Sequence, residues 1–188
     1  MSQRIFKISL LGEGAVGKTS LRRTYMGESF TSGYMMTVGA DFAVSKLSVD
    51  EVEFTLQIWD LAGQQRFSSV REVYYRGTSG ALLVFDISRP ETYEAIPNWL
   101  AELIRNNKNR IVPLVLIGNK ADLRESTPYS VPTSYAQDYA HTLSTWSGFN
   151  VPYLETSALT GLNVEQAFKE LTSQIIQYYE QQKIRASS

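Results

Sequence analysis

Eight consecutive residues, Gly12-Glu13-Gly14-Ala15-Val16-Gly17-Lys18-Thr19, have the types and spacing of a phosphate cradle. A polyphosphate crowds several negative charges together. Backbone N–H groups on a tight loop, and the positive end of a helix that follows, can face those charges. Glycines at 12, 14 and 17 let the backbone approach without a Cβ in the way. The candidate phosphate contacts are therefore Gly14, Ala15, Val16, Gly17, Lys18, Thr19 and Ser20. Lys18 can reach the outer phosphates. The Thr19 hydroxyl can ligate Mg²⁺, which prefers hard oxygen ligands and keeps several waters.

Two further clusters complete the chemistry. Asp60-Leu61-Ala62-Gly63-Gln64 follows a strand-like run. By itself Asp60 reads as a turn residue. Beside a phosphate cradle it reads as the second metal contact, with the side-chain-free N–H of Gly63 suited to a terminal phosphate. Gln64 carries a donor and an acceptor on one group, so it can orient a water without being a strong base. Asn119-Lys120-Ala121-Asp122 reads as a base site. The Asp122 carboxylate can accept from guanine N1–H and the exocyclic amine. Adenine would leave it unpaired, and such a site rejects the mismatched analogue strongly. The Lys120 stem can lie along the ring face, and Asn119 can tie this loop to the cradle. In Thr156-Ser157-Ala158-Leu159 the Ala158 N–H can serve the guanine O6 and Ser157 can brace the loop, although a plain Ser-Ala turn before a helix fits as well. Phe30 reads as an edge-on cover for the base or as a core aromatic.

These loops need strands to hold them. Ile5–Leu11 runs into the first glycine turn, and Lys18–Met26 follows as a helix. Ala43–Val49 and Phe54–Trp59 flank a short connection, which predicts an antiparallel hairpin. Ala81–Asp86 and Val112–Gly118 are near-continuous apolar runs, suited to strands covered on both faces, and Val151–Glu155 is a shorter one. Thr92–Asn107 carries a helical apolar stripe that Pro97 should kink or start late. Pro132–Thr145 is a weaker helix pattern. The last helix has an apolar face at Val164, Ala167, Phe168, Leu171, Ile175 and Tyr178, with Asn163 and Gln166 at capping-box spacing. The alternation predicts an α/β fold: a six-stranded, mostly parallel sheet with one antiparallel edge strand and helices on both faces. Each motif falls at the carboxyl end of a strand, where such sheets bind ligands.

Composition narrows the class. A chain of 188 residues suits one domain, expected over 1–180 with a polar tail at 181–188. A net charge of −1 supplies no field for nucleic acid, so no nucleic-acid partner is expected. There is no cysteine, hence no disulfide, thiolate nucleophile, Cys-ligated metal or prenylatable Cys on this chain. No apolar run reaches the ~18–20 residues that span a bilayer, and Met1–Arg4 is no secretory signal. A cytoplasmic protein is expected. His141, the single histidine, reads as a surface helix residue.

In this order and spacing the motifs resemble the Ras superfamily of small GTPases, over about residues 4–180. Within it the chain is similar to Rab-type proteins, on the stretches Val38–Phe42, Thr55–Trp59, Arg66–Val70, Tyr74–Thr78 and Leu83–Ser88. The resemblance implies a P-loop GTPase fold and a slow, Mg²⁺-dependent switch between GTP and GDP states. It places Thr37 in switch I, ligating Mg²⁺ and contacting the γ-phosphate, with Tyr34–Phe42 as switch I and Gly63–Gly77 as switch II. The metal set becomes Thr19, Thr37 and Asp60, and the catalytic set Gln64, Lys18 and Thr37. Tyr34 joins the nucleotide contacts. Exchange factor, activating protein and effectors would engage Tyr34–Phe42, Trp59 and Gly63–Gly77. Phe42, Trp59 and Tyr75 match the family's aromatic effector surface, or are plain core.

No arginine finger in cis is evident, since Arg66, Arg71 and Arg76 lie in switch II or beyond it, so a partner is expected to supply one. A monomer is expected, as is peripheral attachment to the cytoplasmic face of membranes. The chain departs from the family pattern at Leu61, Gln65 and Leu159, in a longer stretch between Asp122 and Glu155 whose excess falls at Thr145–Gly148, and in a tail, Gln181–Ser188, without prenylated cysteines. Two other classes compete: a GTP-binding recruitment module with little hydrolysis, and an ATP-using P-loop kinase, which Asn119, Lys120 and Asp122 disfavour.

Overall fold

The computed structural model describes residues 5–29, 37–49, 51–64 and 68–187. Six strands, β1 (Ile5–Leu11), β2 (Ala40–Val49), β3 (Val52–Leu61), β4 (Gly80–Asp86), β5 (Leu114–Asn119) and β6 (Tyr153–Thr156), form one sheet in the order β2-β3-β1-β4-β5-β6. Only β2 and β3 pair antiparallel, from Ala40 opposite Leu61 to Val49 opposite Val52, and the other pairings are parallel. The predicted mostly parallel sheet with one antiparallel edge strand is therefore present.

Side-chain alternation divides the core in two. Phe6, Ile8 and Leu10 of β1, Leu82 and Val84 of β4, and Val115 and Ile117 of β5 face α1 (Lys18–Tyr25) and α6 (Val164–Ser187). On the other face Leu83 and Phe85 of β4 and Leu114 and Leu116 of β5 pack against α2 (Ser68–Tyr75), α4 (Ile96–Asn106) and α5 (Thr133–Ser147). Both faces are buried, which is why β4 and β5 read as unbroken apolar runs. A fully buried Leu or Ile contributes about 1.5–3 kcal/mol, and the two clusters hold more than a dozen of them.

Proline sets the next break as expected. Pro90 opens the short α3 (Pro90–Glu94), the chain leaves helix at Ala95, and α4 restarts with Pro97 in its first turn, where a missing N–H costs nothing. One local expectation needs correction. Asn163 does not begin a capping box: it sits at a left-handed φ of 53°, and its amide donates to the Glu155 carbonyl at 2.8 Å, anchoring α6 to β6. The last helix, α6, runs on through residues 181–187. Thr145–Ser147 form the last turn of α5, closed by Gly148 at φ 74°.

The strand order reverses at β1. Its carboxyl end thus opens a crevice between β3 and β4, and the loops after β1, β3, β4, β5 and β6 gather there.

Candidate functional site

The loop after β1 is shaped by close approaches. Gly12 has φ +145°, and a Cβ there would lie 2.0 Å from the Val84 carbonyl oxygen. Gly17, at φ +99°, would place a Cβ 2.3 Å from Asn119 Nδ2. Ala15 holds a left-handed φ of 63° without being glycine, a local strain. Val16 is buried under the loop, and Ser20 lies half-buried in the first turn of α1. Lys18 is buried, and its Nζ donates to the carbonyls of Gly12 at 2.6 Å and Glu13 at 2.9 Å.

Burial lowers the Lys18 pKa to about 8, outweighing the Asp60 and Glu13 charges that favour the ammonium, while Arg71 adds to the lowering. The unfolded chain keeps that proton up to about 10.5. Between those values the unfolded state binds more protons, so the protein freed of nucleotide gains stability as pH rises from about 8 towards 10.5 and loses it as pH falls through 8. Chemical unfolding of nucleotide-stripped protein should therefore find Lys18→Met more stable than wild type at neutral pH. The gap should narrow at pH 9.5; a constant gap would show that the ammonium is not the cause.

Asp60, at the end of β3, is fully buried. Its Oδ2 accepts from Thr19 Oγ1 at 2.5 Å and from Thr37 Oγ1 at 3.3 Å, and the two hydroxyls are 2.9 Å apart. Its Oδ1 is buried with no partner among the described residues. Burial raises the carboxyl pKa, only partly countered by Lys18 and the hydroxyls. An orphaned carboxylate oxygen beside two hydroxyls is a hard-oxygen set that fits Mg²⁺.

Gly63 lies against the first loop: a Cβ would fall 2.4 Å from the Glu13 carbonyl carbon and 2.5 Å from the Gly14 nitrogen. The flanking carbonyls of Ala62 and Gln64 both accept from Arg71 Nη1, at 2.8 and 2.7 Å. Arg71 is fully buried and pairs in two-pronged fashion with Glu102 of α4, at 2.9 and 3.1 Å. Its guanidinium lies 4.4 Å over the Trp99 ring, whose Nε1–H donates to Glu13 Oε1 at 3.0 Å. Sequence reasoning missed this bracket. Its signal was a glutamate, Glu102, three residues beyond Trp99 on the inward face of α4.

The base-side residues also converge. Asn119 is buried, donates to the Val16 carbonyl at 2.8 Å and accepts from Thr156 Oγ1 at 3.0 Å, so one amide joins the first loop, β5 and β6. Lys120 takes a left-handed φ of 67° and places Nζ 2.6 Å from Asp86 Oδ2. Asp122 remains exposed, with Oδ1 accepting from Ser157 Oγ at 2.5 Å. The Ala158 carbonyl accepts from Thr24 Oγ1 at 2.8 Å, and Leu159 is exposed. Bidentate pairing of Arg124 with Glu155 stiffens the segment between them.

Phe30 and Tyr34 lie outside the described residues, as do Gln65, Arg66 and Phe67. In the aromatic surface, Phe42 stacks on Trp59 at 5.1 Å and Trp59 meets Tyr74 at 5.5 Å. Tyr75 is not part of it: it is fully buried, with its hydroxyl on Glu102 at 2.9 Å. Tyr74, one residue earlier and about 100° round the helix, holds the outward place.

Known proteins are similar to this chain in sequence. Residues 7–177 match the model of the Ras family. The chain is 40% identical over 171 residues to the Ras-related protein RABA4b of Arabidopsis thaliana, spanning 91% of this chain and 72% of that protein. It is 38% identical over 184 residues to the Ras-related protein RABA1c of the same plant, spanning 98% and 81%. With a Ras family match over nearly the whole chain and Rab relatives at about 40% identity, the chain belongs to the Ras family and is a Rab-like small GTPase, whose ligands are GTP, GDP and Mg²⁺.

Proposed function

We propose that this GTPase works as a membrane-traffic switch whose chemistry is divided among three corners of the crevice. The observation that carries the reading is the Asn119 side chain, which ties the base loop to the Val16 carbonyl of the phosphate loop at 2.8 Å, so that base and phosphates are gripped by one rigid unit. The N–H groups of Gly14 to Ser20 and the Lys18 ammonium bind the phosphates. Asp122, Lys120, Ala158 and Ser157 select guanine, with Leu159, Phe30 and Tyr34 lining the nucleotide. Thr19, Thr37 and Asp60 would hold Mg²⁺, which when bound neutralises charge on the phosphate oxygens.

In the hydrolytic step the Gln64 amide orients a water against the γ-phosphorus. The water oxygen forms the new bond, the proton shed by the water goes to an oxygen of the phosphate released, and the bond to the β–γ bridging oxygen breaks with its electron pair leaving on GDP. Lys18 and the loop amides meet that charge. Loss of the γ-phosphate releases Thr37 and Gly63, and the two switch segments relax. Regulators and effectors read the change at 34–42, Trp59 and 63–77. Among the described residues no helix is long and apolar enough to cross a membrane, and peripheral attachment on the cytoplasmic side fits the reading.

Single-turnover hydrolysis tests it. Gln64→Leu should bind GTP as wild type does and hydrolyse it at least about tenfold more slowly, since one oriented hydrogen bond is worth on the order of 1.4 kcal/mol. Equal rates would favour a recruitment module instead. The nucleotide that co-purifies should be a guanine nucleotide; bound ATP would point to a kinase.

A further inference from the structure

Asp86 closes β4 with its side chain 1% exposed, and both its oxygens are engaged. Oδ1 accepts from the Ser88 backbone N–H at 2.9 Å and the Ser88 hydroxyl at 2.6 Å. Oδ2 lies 2.6 Å from Lys120 Nζ and 3.2 Å from Arg89 Nε. Burial works to raise the Asp86 pKa, but the bonds from Lys120 and Ser88 outweigh it and hold the carboxyl below its ordinary value. Arg89 then reaches beyond its partner: Nη2 donates to the Gly14 carbonyl at 2.8 Å.

That last bond bears on geometry. The Gly14 carbonyl and the Ala15 N–H belong to one planar trans peptide, so a carbonyl held from one side turns the N–H to the opposite side. Ala15 sits in the strained left-handed region, and its peptide needs an external hold. Arg89 supplies one, charge-assisted and therefore stronger than a neutral bond. The same Asp86 oxygen that steadies Arg89 steadies Lys120 of the base loop.

We propose that Arg89 is a positioning residue for nucleotide retention: held by Asp86, it orients the Gly14–Ala15 peptide and couples the phosphate loop to Lys120. The inference rests on the phosphate and base roles assigned above. Its side chain is 37% exposed, so it can be truncated without emptying the core.

Release of tritiated GDP into excess unlabelled GDP, with Mg²⁺ present, tests it in wild type, Arg89→Ala and Arg89→Lys. Arg89→Ala should release GDP about tenfold faster, while the single-turnover rate constant of bound GTP moves less than twofold. Arg89→Lys, which keeps the charge but not the fork, should fall between. Asp86→Asn should also quicken release. Release from Arg89→Ala within twofold of wild type overturns the proposal. So does a fall in hydrolysis and thermal stability in proportion to the faster release, the mark of a merely structural role. Wild type that fails to bind GDP at all would overturn the underlying assignment rather than the clamp alone.

Discussion

Asp122→Asn should turn the guanine preference of this protein into a xanthine preference. Guanine offers two donors on one edge, N1–H and the exocyclic amine, and a carboxylate offers two acceptors. An asparagine offers one acceptor and one NH₂, so a donor would face a donor. Each unpaired polar group in a closed site costs about 1–3 kcal/mol, and two of them correspond to a loss on the order of 10²–10³ in GDP affinity. Xanthine replaces the amine with a carbonyl, which the new NH₂ can serve, so XDP should gain what GDP loses. The exposed Asp122 is held on one side by Ser157 Oγ at 2.5 Å, and the loop is held by the Asn119 bonds, so the backbone should not move. Competition of GDP and XDP for the mutant measures the inversion. Ser157→Ala is the control, since it should weaken both nucleotides without inverting them. An unchanged order of GDP over XDP in Asp122→Asn would remove the assignment of this carboxylate to the base.

How much of this was legible beforehand depended on whether the chemistry was contiguous. Gly12 to Thr19, Asp60 to Gln64 and Asn119 to Asp122 each announce themselves because one loop needs all its special residues together. β4 and β5 announced themselves because burial on both faces leaves no polar alternation. What stayed hidden joins distant positions through side chains. Arg71 meets Glu102 across 31 residues, and Arg89 meets Gly14 across 75. Nothing local to Arg71 distinguishes an arginine that braces two carbonyls from one that faces water. The pair Tyr74-Tyr75 shows a second limit: adjacent helical residues point about 100° apart, and the identical side chains gave no hint of which turns inward. At Asn163 the residue type suited a cap, but its amide is spent on the Glu155 carbonyl, a tertiary bond that spacing does not reveal.

The glycine at 63 leads to the other large effect, because it separates binding from turnover. In Gly63→Ala the added Cβ would lie 2.4 Å from the Glu13 carbonyl carbon, 2.5 Å from its oxygen and 2.5 Å from the Gly14 nitrogen. All three are backbone atoms of the phosphate loop, which cannot rotate aside as a side chain can. The segment around 63 is pinned on both sides, by Ala62 N–H on the Gly39 carbonyl at 2.9 Å and by Arg71 on the carbonyls of Ala62 and Gln64. Strain must therefore be relieved by lifting the segment off the phosphate loop, and Gln64 goes with it. A displacement of about 1 Å in a catalytic group can cost on the order of 10²-fold in rate. Single-turnover GTP hydrolysis should fall by about that factor. GDP affinity should stay within about threefold, because Lys18, Asn119 and Asp122 do not depend on residue 63; such a change is under ~0.7 kcal/mol. If hydrolysis survives intact, the close approach of Gly63 to the phosphate loop does not govern where Gln64 acts. If GDP affinity falls as far as hydrolysis, the substitution has distorted the phosphate loop itself, and the two functions are not separable at this glycine.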